Sequence, residues 1–481
     1  MSQTPSSTNP WVDSSRAADT TVSEAAASEV PPLEDHHTYD ASTRLDQPSA
    51  KERRNRWLAR GAQGVIALLA AGGIVAALST PAPVIEPTTV LASGERLLGC
   101  VVGDPTLGDV TVQATGIEPV TIWQLGQPPS EPAIRASVTN PASAVVVSGG
   151  QSVGGIVQAV QGGQAMASLC SSPISSGWWN GVPVTADQFS TLVLTNVDDS
   201  QATVDVSLYG ETGLISVAAL NNTQISGQST VSFSLNDRVI SETPIAVEVR
   251  ATVGRVVATL RTYGAQGSDW QAPLEQTSTD LVIPGIPGGA GSRVLTITNT
   301  SERQTQVAVE ALGAFENFVP VGAAAIDVGP LDTISLELGP ALRQEALGLR
   351  LTSDQPVSAS LVSVTTDIAG VSAQPAFTGG IVLPSLNGIL ALTNPDEEPA
   401  AVTITRLDPA GVPIDEVIVE VPRGSVEHVL EQFDGSILIT TSADSLRAAL
   451  LFTDGGLSIV PLGSGGAVST LVTMEHDPSL G

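Results

Sequence analysis

The chain has 481 residues, room for about three or four ordinary domains, and 42% of them are hydrophobic while only 3% are aromatic. Its cores must therefore be built from Val, Leu, Ile and Ala, which favours several small modules over one large enzyme core. With 20 Lys+Arg against 49 Asp+Glu and a net charge of −29, the surface repels phosphate backbones, so no nucleic acid is expected as a partner.

In chain order, residues 1–56 read as a disordered cytoplasmic tail, rich in Ser, Thr, Ala, Pro and acid and without a sustained period. His36 and His37 fall in it and read as solvated. Residues 57–80 read as a transmembrane helix acting as a signal anchor. No charge occurs from Gly61 to Ile85, and the apolar run approaches the ~20 residues that a helix needs to cross a bilayer. Lys51, Arg53, Arg54, Arg56 and Arg60 precede it, and the next basic residue is Arg96. That asymmetry places the N-terminus in the cytoplasm and the remainder outside, with the lipid bilayer as a partner. Trp57 sits where an interfacial aromatic belongs, and Pro81, Pro83 and Pro87 end the helix. Cleavage after Ala77-Leu78-Ser79 is the rival reading.

Residues 81–186 read as an irregular β-rich domain. It holds both cysteines, Cys100 and Cys170, and an even cysteine count in an exported chain predicts a disulfide between them. Trp178 and Trp179 follow in SSPISSGWWNGV. They read either as an exposed platform for a partner or carbohydrate, or as packing against a core.

Three stretches then read alike: Ser190–Asn196, Arg293–Asn299 and Gly388–Asn394. Each is an alternating strand ending in Thr-Asn, followed by a polar turn and a second alternating strand, the pattern of a β-hairpin. A third strand and a second hairpin pattern follow in each copy. Seven or so short strands per repeat predict tandem antiparallel β-sandwiches of immunoglobulin-like type: residues 187–275, 276–376 and 377–465. A β-propeller-like arrangement is the alternative. Residues 466–481 are left as a C-terminal tail. The three asparagines read as turn caps rather than ligands, and Asn221-Asn222-Thr223 and Asn299-Thr300-Ser301 are sequons on paper only.

The stretch from Cys170 through the tryptophan pair and Gly181 to the Leu-x-Leu-x-Asn strand ending at Asn196 resembles an uncharacterised family of actinobacterial membrane-anchored exported proteins, known as a domain of unknown function. The basic-flanked span and the Ala-rich, Lys-poor composition are similar too. The resemblance spans roughly residues 50 to 460; it implies an envelope location near glycan metabolism and no catalytic residues. Cys100 is followed by Val-Val, where the family more often has Pro.

Catalytic chemistry finds few residue types to work with. Lysine occurs once, as Lys51, so neither a Walker loop nor a Schiff base is available. No histidine lies near either cysteine, so no zinc, haem or iron–sulfur site is expected, and no cofactor. Gly150-Gln151-Ser152-Val153-Gly154 matches a nucleophile elbow, with His428 or His476 as base, but that motif acts only on a strand–turn–helix. Asp198, Asp199, Asp396, Glu397 and Glu398 fall in turns and read as solubilising charge rather than a calcium site. The expectation is a non-enzymatic, membrane-anchored cell-envelope protein whose exported modules bind or scaffold envelope proteins or glycans. The alternative is an accessory enzyme of envelope polysaccharide metabolism, which requires a pocket gathering two acids and an aromatic. No buried, pocket-lining acid pair is expected after Pro87.

Overall fold

The structure is a computed structural model that describes residues 95–102, 108–161, 164–365 and 367–463, all within one compact unit, Thr88–Gly481. The expected cytoplasmic tail (1–56), the expected span at 57–80 and the expected tail at 466–481, with Lys51, His36, His37 and His476, lie outside the described residues. Among the described residues no helix is long and apolar enough to cross a membrane.

The described part is mainly β. Helical structure is confined to two 3-10 turns, Ala218–Leu220 and Pro340–Leu342, and the strands fall into four consecutive sets. The first set holds β1 (Arg96–Cys100), β2 (Asp109–Gln124), β3 (Ala133–Thr139), β4 (Val145–Gly149), β5 (Gly154–Gln161) and β6 (Gln164–Leu169). The 16-residue β2 is shared between two groups: its start pairs with β3 and β5, its end with β4. The Cys100–Cys170 disulfide joins the end of β1 to the residue after β6, both cysteines being buried.

The second set holds β7 (Ser176–Val184), β8 (Gln188–Asn196), β9 (Ala202–Gly210), β10 (Gly213–Ile215), β11 (Thr223–Ile225), β12 (Ser229–Ser234), β13 (Ser241–Val253), β14 (Val257–Gly264) and β15 (Gly267–Gln271). One sheet runs β10-β9-β13-β7 with β11 also on β9; the other runs β12-β8-β14-β15. The alternating residues explain the layers. Leu192, Leu194, Val204, Leu208, Val247 and Leu260 point from both sheets into one core, while Thr191, Thr203 and Asp205 point away.

The third set holds β16 (Ser278–Ile286), β17 (Ser292–Asn299), β18 (Thr305–Gly313), β19 (Asn317–Phe318), β20 (Ile326–Val328), β21 (Thr333–Glu337), β22 (Leu347–Val364) and β23 (Ile368–Ser372). Here a single 18-residue strand, β22, does what β13 and β14 do in the second set. Its first half pairs with β16 and β18 and its second half with β17 and β23, so two layers become one continuous eight-stranded sheet. The fourth set holds β24 (Gly379–Pro384), β25 (Gly388–Asn394), β26 (Ala400–Leu407), β27 (Pro413–Val421), β28 (Gly424–Leu430), β29 (Ser436–Thr441), β30 (Arg447–Phe452) and β31 (Ser458–Leu462), in two sheets, β24-β29-β26-β27 and β28-β25-β30-β31.

The pairing corrects one expectation. The strands on either side of each Thr-Asn do not form a hairpin. β8 and β9 lie in different sheets, as do β25 and β26, while β17 and β18 pair with opposite halves of β22. The second pattern behaves likewise: β13 and β14, and β29 and β30, cross between sheets. Alternation and a polar turn specify a chain reversal, but not whether the returning strand lies beside its predecessor or across the core from it.

The asparagine decides for the crossing. Asn196 is fully buried; its Nδ2 donates to Ser200 O at 2.7 Å and Ile225 O at 3.1 Å, and its Oδ1 accepts Asp198 N–H at 3.1 Å. Asn299 and Asn394 repeat the arrangement, with Nδ2 on Arg303 O at 2.6 Å and on Glu398 O at 2.8 Å, and Oδ1 on the N–H of Ser301 and Asp396. The side chain satisfies backbone groups that a sheet partner would otherwise take. The preceding threonine ties the strand to its true neighbour: Thr195 to Thr230, Thr298 to Thr333, Thr393 to Ser425, at 3.0, 2.9 and 3.0 Å.

Candidate functional site

Trp178 and Trp179 are neighbours on β7, so a strand's two-residue period sends them to opposite faces. Trp179 is wholly buried in the core of the second set, and its Nε1–H donates to Gln271 O at 2.8 Å. Trp178 packs into the next core, shared with the third set, its ring 5.1 Å from that of Tyr209. Neither ring is an exposed platform, and packing is the role the geometry gives both; what sets the tryptophans apart is which core each one fills.

The edge of Trp178 does reach a small cavity of about 370 Å³, lined also by Tyr209, Glu248, Arg250 and Glu275. The register builds it: Glu248 on β13 lies directly opposite Trp178 on β7 and Ser207 on β9. Glu248 accepts the Tyr209 O–H at 2.8 Å on one oxygen and the Arg250 guanidinium at 2.7 Å on the other. Burial, and next the Glu248 carboxylate, push the Tyr209 phenol up. Partial desolvation raises the carboxyl of Glu275, exposed at the rim, against the opposing pull of the Arg96 guanidinium.

The other sequence candidates do not converge. Ser152 sits in the turn between β4 and β5, where its carbonyl accepts the Val382 N–H at 2.7 Å, and a strand rather than a helix follows. His428 lies on β28, opposite Leu390. Asp198 holds Arg255 in a two-pronged pair at 2.9 and 3.0 Å, and Glu397 pairs with Arg423 at 3.2 Å. Among the described residues no group of three or more His, Cys, Asp or Glu side chains converges as a metal cage. Asn299 spends its amide on backbone carbonyls inside the protein, so that sequon presents no acceptor; Asn221 is exposed.

Two buried acids escaped the sequence reading. β6, β15, β23 and β31, the last strands of the four sets, pack on one another in a closed cycle: β6 on β15, β15 on β23, β23 on β31, β31 on β6. Asp269 on β15 and Asp367 just before β23 lie in this seam, 2% and 1% exposed. Asp269 accepts the Gly370 N–H at 2.8 Å and sits 3.0 Å from Ser458 Oγ. Asp367 accepts the N–H of Ile368 at 2.9 Å and of Leu457 at 3.1 Å. Burial drives the Asp269 carboxyl well above the usual carboxylate range; the N–H and O–H groups around it oppose that, and Asp367 adds to it. All four carboxyl oxygens are occupied by protein, and neither residue lines the cavity at Trp178. The pair is buried, and its oxygens are turned to protein partners.

An open groove lies between the first and fourth sets. Two adjoining cavities of about 640 and 720 Å³ share Gln113, Ser385 and Gln432 and form one groove. Its floor is stitched by Thr115 Oγ1 to Ser436 Oγ at 2.9 Å, residues far apart in the chain. Arg135 pairs with Asp434 at 3.0 Å at one end, and Arg406 stacks 4.3 Å over the Phe433 ring. Gln113, Gln158, Asn387 and Gln432 line the walls, the Asn387 Oδ1 accepting the Gln432 N–H at 2.8 Å. Asp109, Glu431, Asp434 and Asp454 are exposed at its rim. No single residue announced this groove; Gln113 and Gln432 are ordinary polar positions until the fold sets their strands side by side.

Comparison with known proteins gives a family and little else. The model of a family of unknown function, DUF5719, matches residues 139–430. No curated protein matches the chain. Among solved structures, an anti-sigma factor domain-containing protein from Clostridium clariflavum aligns at 10% identity over 74% of this chain and 97% of its own, with a TM-score of 0.12. The RrgB pilus protein from Streptococcus pneumoniae aligns at 11% identity over 59% of this chain and 61% of its own, TM-score 0.12. An alpha-L-rhamnosidase from Streptomyces avermitilis aligns at 9% identity over 75% and 55%, TM-score 0.13. Scores this low carry no argument about fold or function.

Proposed function

The chain belongs to the DUF5719 family of unknown function, and from that premise we propose an exported cell-envelope protein, anchored by one span at residues 57–80, that binds envelope components without catalysis. The groove between the first and fourth strand sets is the binding site, and its ligand is a polar envelope polymer, a glycan in the first instance. The observation that carries this reading is the groove's lining: Gln and Asn residues along the walls and exposed acidic residues at the rim of two adjoining cavities. Amides that both donate and accept suit hydroxyl-rich chains. The Cys100–Cys170 disulfide supports the exported location, because such bonds persist outside the reducing cytoplasm. The paired layers of the second and fourth sets are read as immunoglobulin-like sandwiches, and the Ala-rich, Lys-poor composition as actinobacterial.

Co-sedimentation of the full-length, detergent-solubilised protein with insoluble cell-wall polysaccharide tests the proposal. The protein should pellet, and a Gln113→Ala/Gln432→Ala variant should stay in solution. Failure of the unmodified protein to pellet, or pelleting by both alike, overturns it.

One observation favours the enzyme reading. The cavity at Trp178 gathers Glu248, Glu275 and two aromatic residues. Glu275 would be the acid of that site and Glu248 its carboxylate. Release of new reducing ends from the same polysaccharide, lost in a Glu275→Gln variant, would establish it.

A further inference from the structure

The second and third sets guard one sheet edge in the same way, and the fourth does not. β9 is covered only by two three-residue strands, β10 and β11, which pair with its two ends. β18 is covered by the two-residue β19 and the three-residue β20, again end by end. Short, interrupted strands give an incoming chain little to pair with. In the fourth set the equivalent strand, β26, is paired along its whole length by the nine-residue β27. Among the described residues β27 ends its sheet, with no strand on its outer side.

β27 is also the wrong strand to leave bare. Its other face, Val417, Val419 and Val421, lies opposite Ile404, Val402 and Ala400, buried at Val421 and opening to solvent at Val417. Its outer face alternates Ile414, Glu416, Ile418 and Glu420. Ile414 and Ile418 are 55% and 62% exposed. Across the register Glu416 faces Thr405 and Glu420 faces Ala401, so neither acid meets a cation on β26. The neighbouring Asp415, by contrast, is held by Arg406 at 3.1 Å.

We propose that β27 is a docking edge that takes an extended segment of a partner protein as an added strand, one in which every second residue, all on one face, is in turn aliphatic and Lys or Arg. Main-chain hydrogen bonds would supply the attachment, the aliphatic residues would pack on Ile414 and Ile418, and the cations would face Glu416 and Glu420. A second copy of this chain does not fit. It would bring the same acids to the edge, from a molecule carrying 49 acidic against 20 basic residues and a net charge of −29. The proposal stands apart from the groove, since none of Ile414, Glu416, Ile418 and Glu420 lines it.

Fluorescence anisotropy of the full-length, detergent-solubilised protein with a labelled octapeptide Val-Thr-Lys-Thr-Val-Thr-Lys-Thr, which sets valine and lysine in turn along one face, tests this, with Val-Thr-Glu-Thr-Val-Thr-Glu-Thr as the control. The lysine peptide should bind and the glutamate peptide should not, and raised salt should weaken binding. A Glu416→Lys/Glu420→Lys variant should lose about tenfold in affinity for the lysine peptide and gain the glutamate peptide. Both substitutions are on exposed side chains, and an unchanged circular dichroism spectrum verifies folding. Equal binding of the two peptides, or unchanged preference in the variant, overturns the proposal. So does a protein that is dimeric in solution and becomes monomeric on Ile418→Lys, which would assign the edge to a second copy.

Discussion

Inside the second strand set, Leu192, Leu194, Val204, Leu208 and Trp179 meet in a dry core. At the seam where β6, β15, β23 and β31 meet, Asp269, Gln271, Asp367, Ser372 and Ser458 are buried as deeply. There Gln271 donates to Ser372 Oγ at 3.2 Å, and Ser372 donates to the carbonyl of Ala272 at 2.9 Å. The two regions divide the work. Apolar contact is non-directional and holds each set's layers together wherever the volumes fit. A buried polar network tolerates one register only, because each displaced donor or acceptor is left without water. The seam therefore fixes how the four sets sit against one another, and the groove, which lies between the first and fourth, inherits its shape from it.

The comparison breaks first where the core is deepest. Trp179→Ala removes the largest fully buried side chain and leaves Gln271 O without its donor. A loss of about 3–5 kcal/mol is expected in chemical denaturation followed by circular dichroism. A loss below about 1 kcal/mol would mean that the second set repacks freely.

Removing the disulfide acts on the first set alone. Cys100 and Cys170 close a separation of 70 residues, worth about 2–4 kcal/mol. A Cys100→Ser/Cys170→Ser variant should expose β1 and β4 to rapid amide exchange, while β25 and β30 stay protected. Uniform loss of protection would show that the seam, not the disulfide, holds the first set.

The crossings between layers are the next test. Asn299→Ala leaves the carbonyls of Arg303 and Gly329 without their Nδ2 donor, at a cost of about 1–3 kcal/mol. Asn299→Asp should cost as much, because the new oxygen can only accept where Nδ2 donated. A silent Asn299→Asp would remove the asparagine from the account of the crossing.

These positions also mark how far the sequence could be read. Strand content, the Thr-Asn recurrence, the disulfide and the capping role of Asn196, Asn299 and Asn394 follow from local chemistry, and local chemistry is what a sequence displays. Pairing is not local. β8 and β9 carry the pattern of a hairpin, and only the positions of β12, β13 and β14 decide that they part. Asp269 looked like any acid near a turn, and its burial depends on Gly370 and Ser458, each from another set. The groove was illegible for the same reason: Thr115 and Ser436 are 321 residues apart, and no spacing rule reaches that far.

The smallest effect is the sharpest test of the seam. Ser458 Oγ accepts the Ala167 N–H at 3.1 Å and lies 3.2 Å from Ala167 O and 3.0 Å from Asp269 Oδ1. One hydroxyl proton cannot serve both oxygens. If Asp269 carries its own proton on Oδ1 it donates to Ser458, Ser458 donates to Ala167 O, and every group is satisfied while Oδ2 still accepts the Gly370 N–H. Burial raises the Asp269 carboxyl, which agrees with that protonated form. The folded state then holds a proton that the unfolded chain, with a carboxyl near pKa 3.9, releases. This contribution to stability is full below that value and declines as pH rises toward the raised folded value. Asp269→Asn copies the protonated arrangement, its Nδ2 donating to Ser458 and its Oδ1 accepting from Gly370. The variant should match the parent at about pH 4 and below and exceed it increasingly as pH rises, as read from denaturation midpoints at a series of pH values. Asp269→Ala, which leaves the Gly370 N–H unpaired, should be destabilised throughout. An asparagine variant as unstable as the alanine one, or a parent–variant difference that does not change with pH, would show that Asp269 is ionised in the seam and that its network closes in some other way.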